Sequence, residues 1–167
     1  MQSSRVFFRY LAFALEILLL WVLQSTPKLM PEVFGAKPLL LLAAALSFAV
    51  CENAIPSLIL GAVCGILADI SAGGTVGYFA IAFTIVCFVI SGLLGTYLNR
   101  NFLSGAVLSL GAVVLIMGLY FVFFRVFAGV PESGTLFVSR FLPRMAYTFL
   151  TFIPLYFLNR FLSKSFI

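Results

Sequence analysis

The sequence predicts an all-α membrane protein, a compact bundle of about six transmembrane helices. Hydrophobic residues make up 63% of the 167 positions and charged residues only 9%, whereas a soluble domain carries about 25% charged residues. The mean hydropathy is +1.21, and long apolar runs recur along the whole chain. A span takes about 20 apolar residues to cross roughly 30 Å of hydrocarbon. The chain therefore accommodates about six spans in a single integral membrane domain, residues 1–167.

The first apolar run covers residues 6–24 and follows Arg5. It is long for the apolar part of a signal peptide, and no small-residue cleavage site follows it, so we expect a retained span. A connection with three prolines, residues 25–38, leads to the second segment, residues 39–52. That segment is short for a complete crossing of the membrane.

The third segment, residues 57–70, is also short and ends in a glycine turn at residues 71–74. Pro56 either opens this helix in its first turn, where the missing N–H costs nothing, or kinks a longer helix. We therefore expect segments two and three to form a closely packed pair of short helices.

Three further spans complete the prediction, at residues 77–98, 104–128 and 138–162. The last contains Pro143 and Pro154, which membrane helices tolerate when neighbouring groups satisfy the exposed carbonyls. Six spans place both termini on one side. The Lys and Arg bias between the two sides is slight and favours cytoplasmic termini.

Several kinds of chemistry are excluded by what the chain does not contain. It has no His, so His-based catalysis and His metal sites are ruled out. The three cysteines lie in apolar runs without a CxxC spacing and are predicted to be buried hydrophobes. No catalytic motif is present, so we expect neither an enzyme nor a bound cofactor. The net charge of +5 is scattered at helix ends, which argues against a nucleic-acid partner and for contact with the lipid bilayer.

Small residues recur every four positions in and after the third segment, on one face of a helix. Such residues let a second helix approach closely, either within the bundle or from a partner. Two GxxxG pairs are included. We call this set the glycine seam; its members are Ser57, Gly61, Gly65, Asp69, Gly73 and Gly77.

Asp69 stands at the end of the glycine seam, where an acid at the edge of hydrocarbon needs compensation. Three interpretations are open. It accepts backbone N–H groups in the following glycine turn, it bonds to another helix of this protein or of a partner, or it forms a proton or ion site.

Four other charged residues are candidates for polar sites within the membrane: Glu16, Glu52, Arg140 and Arg144. Glu16 lies in the middle of the first span. It either has a functional role, or it is protonated or faces the bundle interior and pairs with a polar neighbour. Arg140 and Arg144 are spaced to share one face of the last helix. They could meet lipid headgroups or pair with Glu132 or another acid.

Two stretches carry a family resemblance. Residues 61–81, GAVCGILADISAGGTVGYFAI, resemble the MreD family of bacterial rod-shape-determining membrane proteins, with a glycine-rich third helix ending in Asp and a Gly opening the fourth. Residues 141–162, FLPRMAYTFLTFIPLYFLNRFL, are similar to the last helix of that family.

The resemblance implies a non-catalytic scaffold subunit of the cell-elongation complex. Its partners would be an MreC-like bitopic membrane protein and, directly or through it, the MreB-type filament and the rod-type wall synthase for peptidoglycan. It also implies a fold similar to the S component of energy-coupling-factor transporters. The alternative function is therefore a substrate-binding S component of a vitamin transporter. A substrate pocket of that kind needs polar side chains from the later helices. In this chain the later helices are dominated by Phe, Leu and Val.

Overall fold

The computed structural model describes residues 2–26, 38–73, 77–98, 100–127 and 133–165, and every element in these ranges is helical. Two five-residue π-helical segments adjoin the α-helices, Val122–Val126 after α5 and Phe137–Phe141 before α7. The α-helices are α1 Gln2–Ser25, α2 Leu40–Cys51, α3 Ala54–Ala72, α4 Tyr78–Thr96, α5 Phe102–Phe121, α6 Ser133–Leu136 and α7 Leu142–Ser165.

Five helices in the described ranges are long and apolar enough to cross a membrane. They begin in α1, α3, α4 and α5 and in the π-helical segment that runs into α7. Large apolar side chains such as Phe7, Leu15, Ile85 and Phe161 are exposed on their outer faces, which is the arrangement expected where lipid is the solvent. The predicted all-α membrane bundle is confirmed.

The short apolar helix α2 forms the centre of the bundle. Its 12 residues span only about 18 Å at 1.5 Å per residue, and residues 40–50 are all buried. A helix that is apolar on every side is stable only when other helices surround it. α2 contacts α1, α3, α4, α5 and α7.

The prediction of two short neighbouring helices is right for α2 and wrong for α3. α3 has 19 residues and begins at Ala54, three residues earlier than predicted. Pro56 lies in its first turn, where the missing N–H would have no acceptor within the helix, so no helical hydrogen bond is lost. α3 is therefore long enough to cross the membrane, while α2 is a shorter apolar helix.

The last span is predicted to start at residue 138, whereas the run of helical segments that ends in α7 starts at Ser133, with α6 and the π-helical segment Phe137–Phe141 before α7. Pro143 has no N–H to donate to the carbonyl of Ser139. A π-helical turn at this point shifts the hydrogen-bond register by one residue. The sequence also predicts a polar loop at residues 129–134, between the last two spans. Residues 129–132 of this loop lie outside the described residues.

Candidate functional site

The glycine seam packs against α4 of the same chain. A methyl group built on Gly65 would lie 2.5 Å from the carbonyl oxygen of Phe79 and 2.6 Å from Cα of Ala80. One built on Gly61 would lie 2.9 Å from Cβ of Cys87. Only glycine allows two helix backbones to approach this closely. At Gly61 and Gly65 the close neighbour of the seam is therefore α4.

Asp69 fixes the start of α4 from the end of α3. Its Oδ1 accepts the N–H of Phe79 at 3.1 Å, and its Oδ2 accepts the N–H of Ala80 at 2.9 Å. These are the second and third residues of α4, whose N–H groups have no acceptor within the helix. The residue before the helix, Gly77, has no side chain to cap them. Asp69 does so instead, and its charge lies at the positive end of the α4 dipole.

Gly73 and Gly77 do not form a second packing pair within the described part of the chain. Gly73 ends α3 with φ +66°, and Gly77 precedes α4 with φ +87°. Both are left-handed conformations that L side chains rarely adopt, and no atom of the described residues lies within 4 Å of a methyl group built on either. These glycines allow the backbone to leave α3 and to enter α4.

Glu52 precedes the start of α3, at the end of that helix opposite to Asp69, and accepts hydrogen bonds from residues of four helices. Its Oε2 accepts a hydrogen bond from Nη2 of Arg9 on α1 at 3.1 Å, and its Oε1 accepts one from Ser163 on α7 at 3.4 Å. Its carbonyl accepts the hydroxyl of Ser91 on α4 at 2.7 Å and that of Ser57 on α3 at 3.4 Å. With 4% of its surface exposed, this carboxylate depends on these partners.

Glu16 forms a second buried polar cluster, near the middle of α1. The amide Nδ2 of Asn159 on α7 donates to Oε1 of Glu16 at 3.0 Å and to the hydroxyl of Ser47 on α2 at 2.6 Å. The other carboxyl oxygen, Oε2, is buried and has no hydrogen-bond partner among the residues that the structure describes. Such an oxygen is costly unless another group donates to it.

Glu16 also lines a long apolar groove on the outside of the bundle, which we call the α1/α7 groove. Its volume is about 640 Å³. Along α1 it extends over 12 residue steps, from Phe8 to Leu20, or about 18 Å. Its lining residues are Phe8, Leu11, Ala12, Leu15, Glu16, Leu19 and Leu20 from α1 and Leu155, Leu158 and Leu162 from α7.

The family model of the rod shape-determining protein MreD matches residues 4–166, nearly the whole chain. This chain belongs to the MreD family. No curated protein and no solved structure matches it. The MreD family is one of shape-determining membrane proteins and not a known family of enzymes, so this MreD-family chain is a multi-pass, rod-shape-determining membrane protein.

Arg140 and Arg144 differ in exposure in this MreD-family chain. Arg140 lies in the π-helical segment and is exposed, whereas Arg144 is half-buried in α7. Within the described ranges Arg144 forms no ion pair, and Glu132, one of the acids considered as its partner, lies outside them. Arg144 instead lines a cavity of about 480 Å³ with Trp21 and Gln24 of α1 and Ser71 of α3.

Sequence reasoning missed the polar partners that come from α7. Asn159 and Ser163 contact Glu16 and Glu52 across 143 and 111 residues of chain. No local spacing connects such distant positions. The available signal was an amide in an otherwise apolar helix, because buried polar groups in membrane helices need partners.

Proposed function

We propose that this MreD-family chain is a non-catalytic scaffold subunit of the bacterial cell-elongation complex and binds the transmembrane helix of an MreC-like bitopic partner. The partner would link it to the MreB-type filament and the rod-type wall synthase, and the scaffold would help regulate peptidoglycan synthesis. We place the chain in the bacterial plasma membrane with both termini in the cytoplasm. The observation that carries the proposal is the α1/α7 groove.

The groove is better suited to a partner than the glycine seam. α4 already covers the seam, with the Cys87 side chain and the Phe83 carbonyl at Gly61 and with backbone atoms at Gly65, so a second helix has no access to those positions. The α1/α7 groove opens on the outside of the bundle, and α1 exposes long apolar side chains, among them Leu15 and Leu19. A partner helix can reach it without displacing any helix of this chain.

The lining of the groove favours an apolar helix. Lipid tails are as apolar as leucine, so helices associate in a bilayer mainly through close packing where no polar groups are exposed. Nine of the ten lining residues are apolar and supply packing surface. Glu16 is the tenth, but it is buried and its Oε2 is not exposed to the groove. A partner helix with small and apolar side chains along one face would fit this lining.

The test compares two alanines of α1. Ala12 lines the groove, whereas Ala14 is exposed and lies outside its lining. Ala12→Phe places a ring in the groove, and Ala14→Phe adds the same ring on another side of the same helix. Both variants, with an affinity tag, are purified from membranes in gentle detergent with the MreC-like protein of the same bacterium.

We expect Ala12→Phe to reduce recovery of the partner at least several-fold and Ala14→Phe to leave it at the wild-type level. The same ranking should appear when each variant replaces the native family member in a rod-shaped bacterium: round cells with Ala12→Phe and rods with Ala14→Phe. Equal partner recovery from both variants, at equal protein levels, would exclude the groove as the docking site. Failure of the wild-type chain to recover any MreC-like protein would overturn the scaffold function itself.

A second candidate function is the substrate-binding subunit of an energy-coupling-factor vitamin transporter. One observation favours it: the cavity of about 480 Å³ at Arg144 is large enough for a small molecule and has mixed polar and apolar walls. Native mass spectrometry of the purified chain decides between the functions. A stoichiometric small molecule that is lost in Arg144→Gln would favour the transporter, and its absence in the wild type would favour the scaffold.

A further inference from the structure

A second cavity lies where α2 and α7 end and where α4 connects to α5. Its volume is about 180 Å³, enough for several water molecules or one phosphate group. Three cationic side chains line it, Arg100 from the connection before α5 and Arg160 and Lys164 from the last turns of α7. Its other walls are Val50, Tyr156 and Ser163, together with Cys51.

None of the residues that line the cavity is acidic, and none of the three cations forms an ion pair within the described part of the chain. The carboxylate of Glu52 accepts a hydrogen bond from Ser163 of the cavity wall, but its ion pair is with Arg9 at 3.1 Å. Arg100 uses two of its five N–H groups, donating to the carbonyl of Cys51 and to the side chain of Asn53. The remaining N–H groups of Arg100 can bond an anion.

Arg160 and Lys164 complete the set of donors. Arg160 donates one N–H to the hydroxyl of Tyr156 at 2.8 Å, and its guanidinium lies over that ring at 5.7 Å from the centroid. This contact holds the side chain in place while leaving its other donors available. Lys164 is exposed and forms no hydrogen bond among the residues described. Two guanidinium groups and one ammonium group therefore converge on a cavity whose described lining supplies no acidic side chain.

The surroundings of the cavity indicate a lipid and not a soluble anion. Phe157 and Phe161 of α7 and Leu103 of α5 are exposed next to the cations in sequence. The ring of Phe157 stacks on that of Phe102 at 5.6 Å. In a bilayer this apolar strip contacts acyl chains, while the helix ends lie at headgroup depth. Basic pockets between helix ends are a common binding site for anionic headgroups.

We propose that the cavity between Arg100, Arg160 and Lys164 binds the phosphate of an anionic phospholipid, whose acyl chains lie along Leu103, Phe157 and Phe161. The bound lipid would neutralise the convergent cations at the end of α7. This site is separate from the α1/α7 groove and does not depend on an MreC-like partner.

The experiment is native mass spectrometry of the full chain in detergent with equal amounts of phosphatidylglycerol and phosphatidylethanolamine. The test variants are Lys164→Gln and the double variant Arg160→Gln/Lys164→Gln. Arg140→Gln is the control, because Arg140 is exposed and lies outside the cavity. We expect wild type and Arg140→Gln to retain phosphatidylglycerol preferentially. Each charge removed from the cavity should lower the retained fraction about five-fold, so the double variant should lose about 25-fold.

Three results would overturn the proposal. The first is equal phosphatidylglycerol binding in Lys164→Gln and Arg140→Gln, a comparison that involves no buried contact and so no risk of misfolding. The second is equal retention of the zwitterionic lipid by the wild type. The third is complete displacement of phosphatidylglycerol by an excess of inorganic phosphate, which would assign the cavity to a soluble anion. Retention of the lipid against phosphate supports the lipid site.

Discussion

Replacing Gly65 by alanine is expected to separate α3 from α4. The added methyl group would lie 2.5 Å from the carbonyl oxygen of Phe79, where ordinary contact begins at 3.4 Å. All three of its nearest atoms belong to the backbone of Phe79 and Ala80. No side-chain rotation can relieve this overlap. The two helices must therefore move apart locally by most of an ångström.

The cost of this movement follows from the contacts it disturbs. Overpacking of a well-packed interior costs about 1–3 kcal/mol. The same displacement pulls Phe79 and Ala80 away from the carboxylate of Asp69, and a hydrogen bond to a charged group contributes about 1.5–3 kcal/mol. With partial loss of those bonds, we expect about 3 kcal/mol of destabilisation in total. In a chain of this size that corresponds to a Tm lower by about 6–12 °C.

The assay is thermal unfolding of detergent-purified protein, followed by circular dichroism. Gly92→Ala is the matched control, because Gly92 lies within α4 and no atom is within 4 Å of a methyl group built there. Alanine has a better helix propensity than glycine, so Gly92→Ala should keep or slightly raise the Tm. Equal Tm values for the two variants would refute the close packing of α3 on α4 at Gly65.

Three other substitutions test the polar contacts by the same unfolding assay. Asp69→Asn retains one acceptor for the two N–H groups of α4 and should cost about 1–2 kcal/mol, less than Asp69→Ala; equal losses would contradict the capping role. Asn159→Leu removes the donor to Glu16 inside the bundle and should cost about 1–3 kcal/mol, whereas an unchanged Tm would show that this hydrogen bond contributes nothing. Arg9→Gln leaves the Glu52 carboxylate buried without its cation and should cost about 3–5 kcal/mol, and the Arg9→Gln/Glu52→Gln double variant should recover part of that loss.

The features that could be predicted from sequence are those set by local pattern. The run of small residues at four-residue spacing placed Gly61 and Gly65 on one face, and both lie at the α3/α4 contact. Glu52 was placed at the end of the second helix, where it follows α2. In each case the period of the helix and a change in polarity specify the position.

The features that escaped prediction depend on tertiary structure. The central position of α2 was not evident, because a short helix that is apolar on every side can be surrounded by lipid or by protein. The two different roles of the glycines could not be predicted without the backbone geometry. Gly65 allows close packing of two helices, whereas Gly73 adopts a positive φ of 66°. The different exposure of Arg140 and Arg144 was not evident from their spacing, because the spacing does not show where other helices cover α7.

The proposed function depends on which surface receives the partner helix, and crosslinking in living cells measures this directly. A photoreactive amino acid is placed at Leu15, which lines the α1/α7 groove, at Ala14, which is exposed outside its lining, or at Ile59, which is exposed on α3. Our account predicts a crosslink to the MreC-like protein from position 15 and none from positions 14 and 59. A crosslink from position 59 with none from position 15 would contradict it.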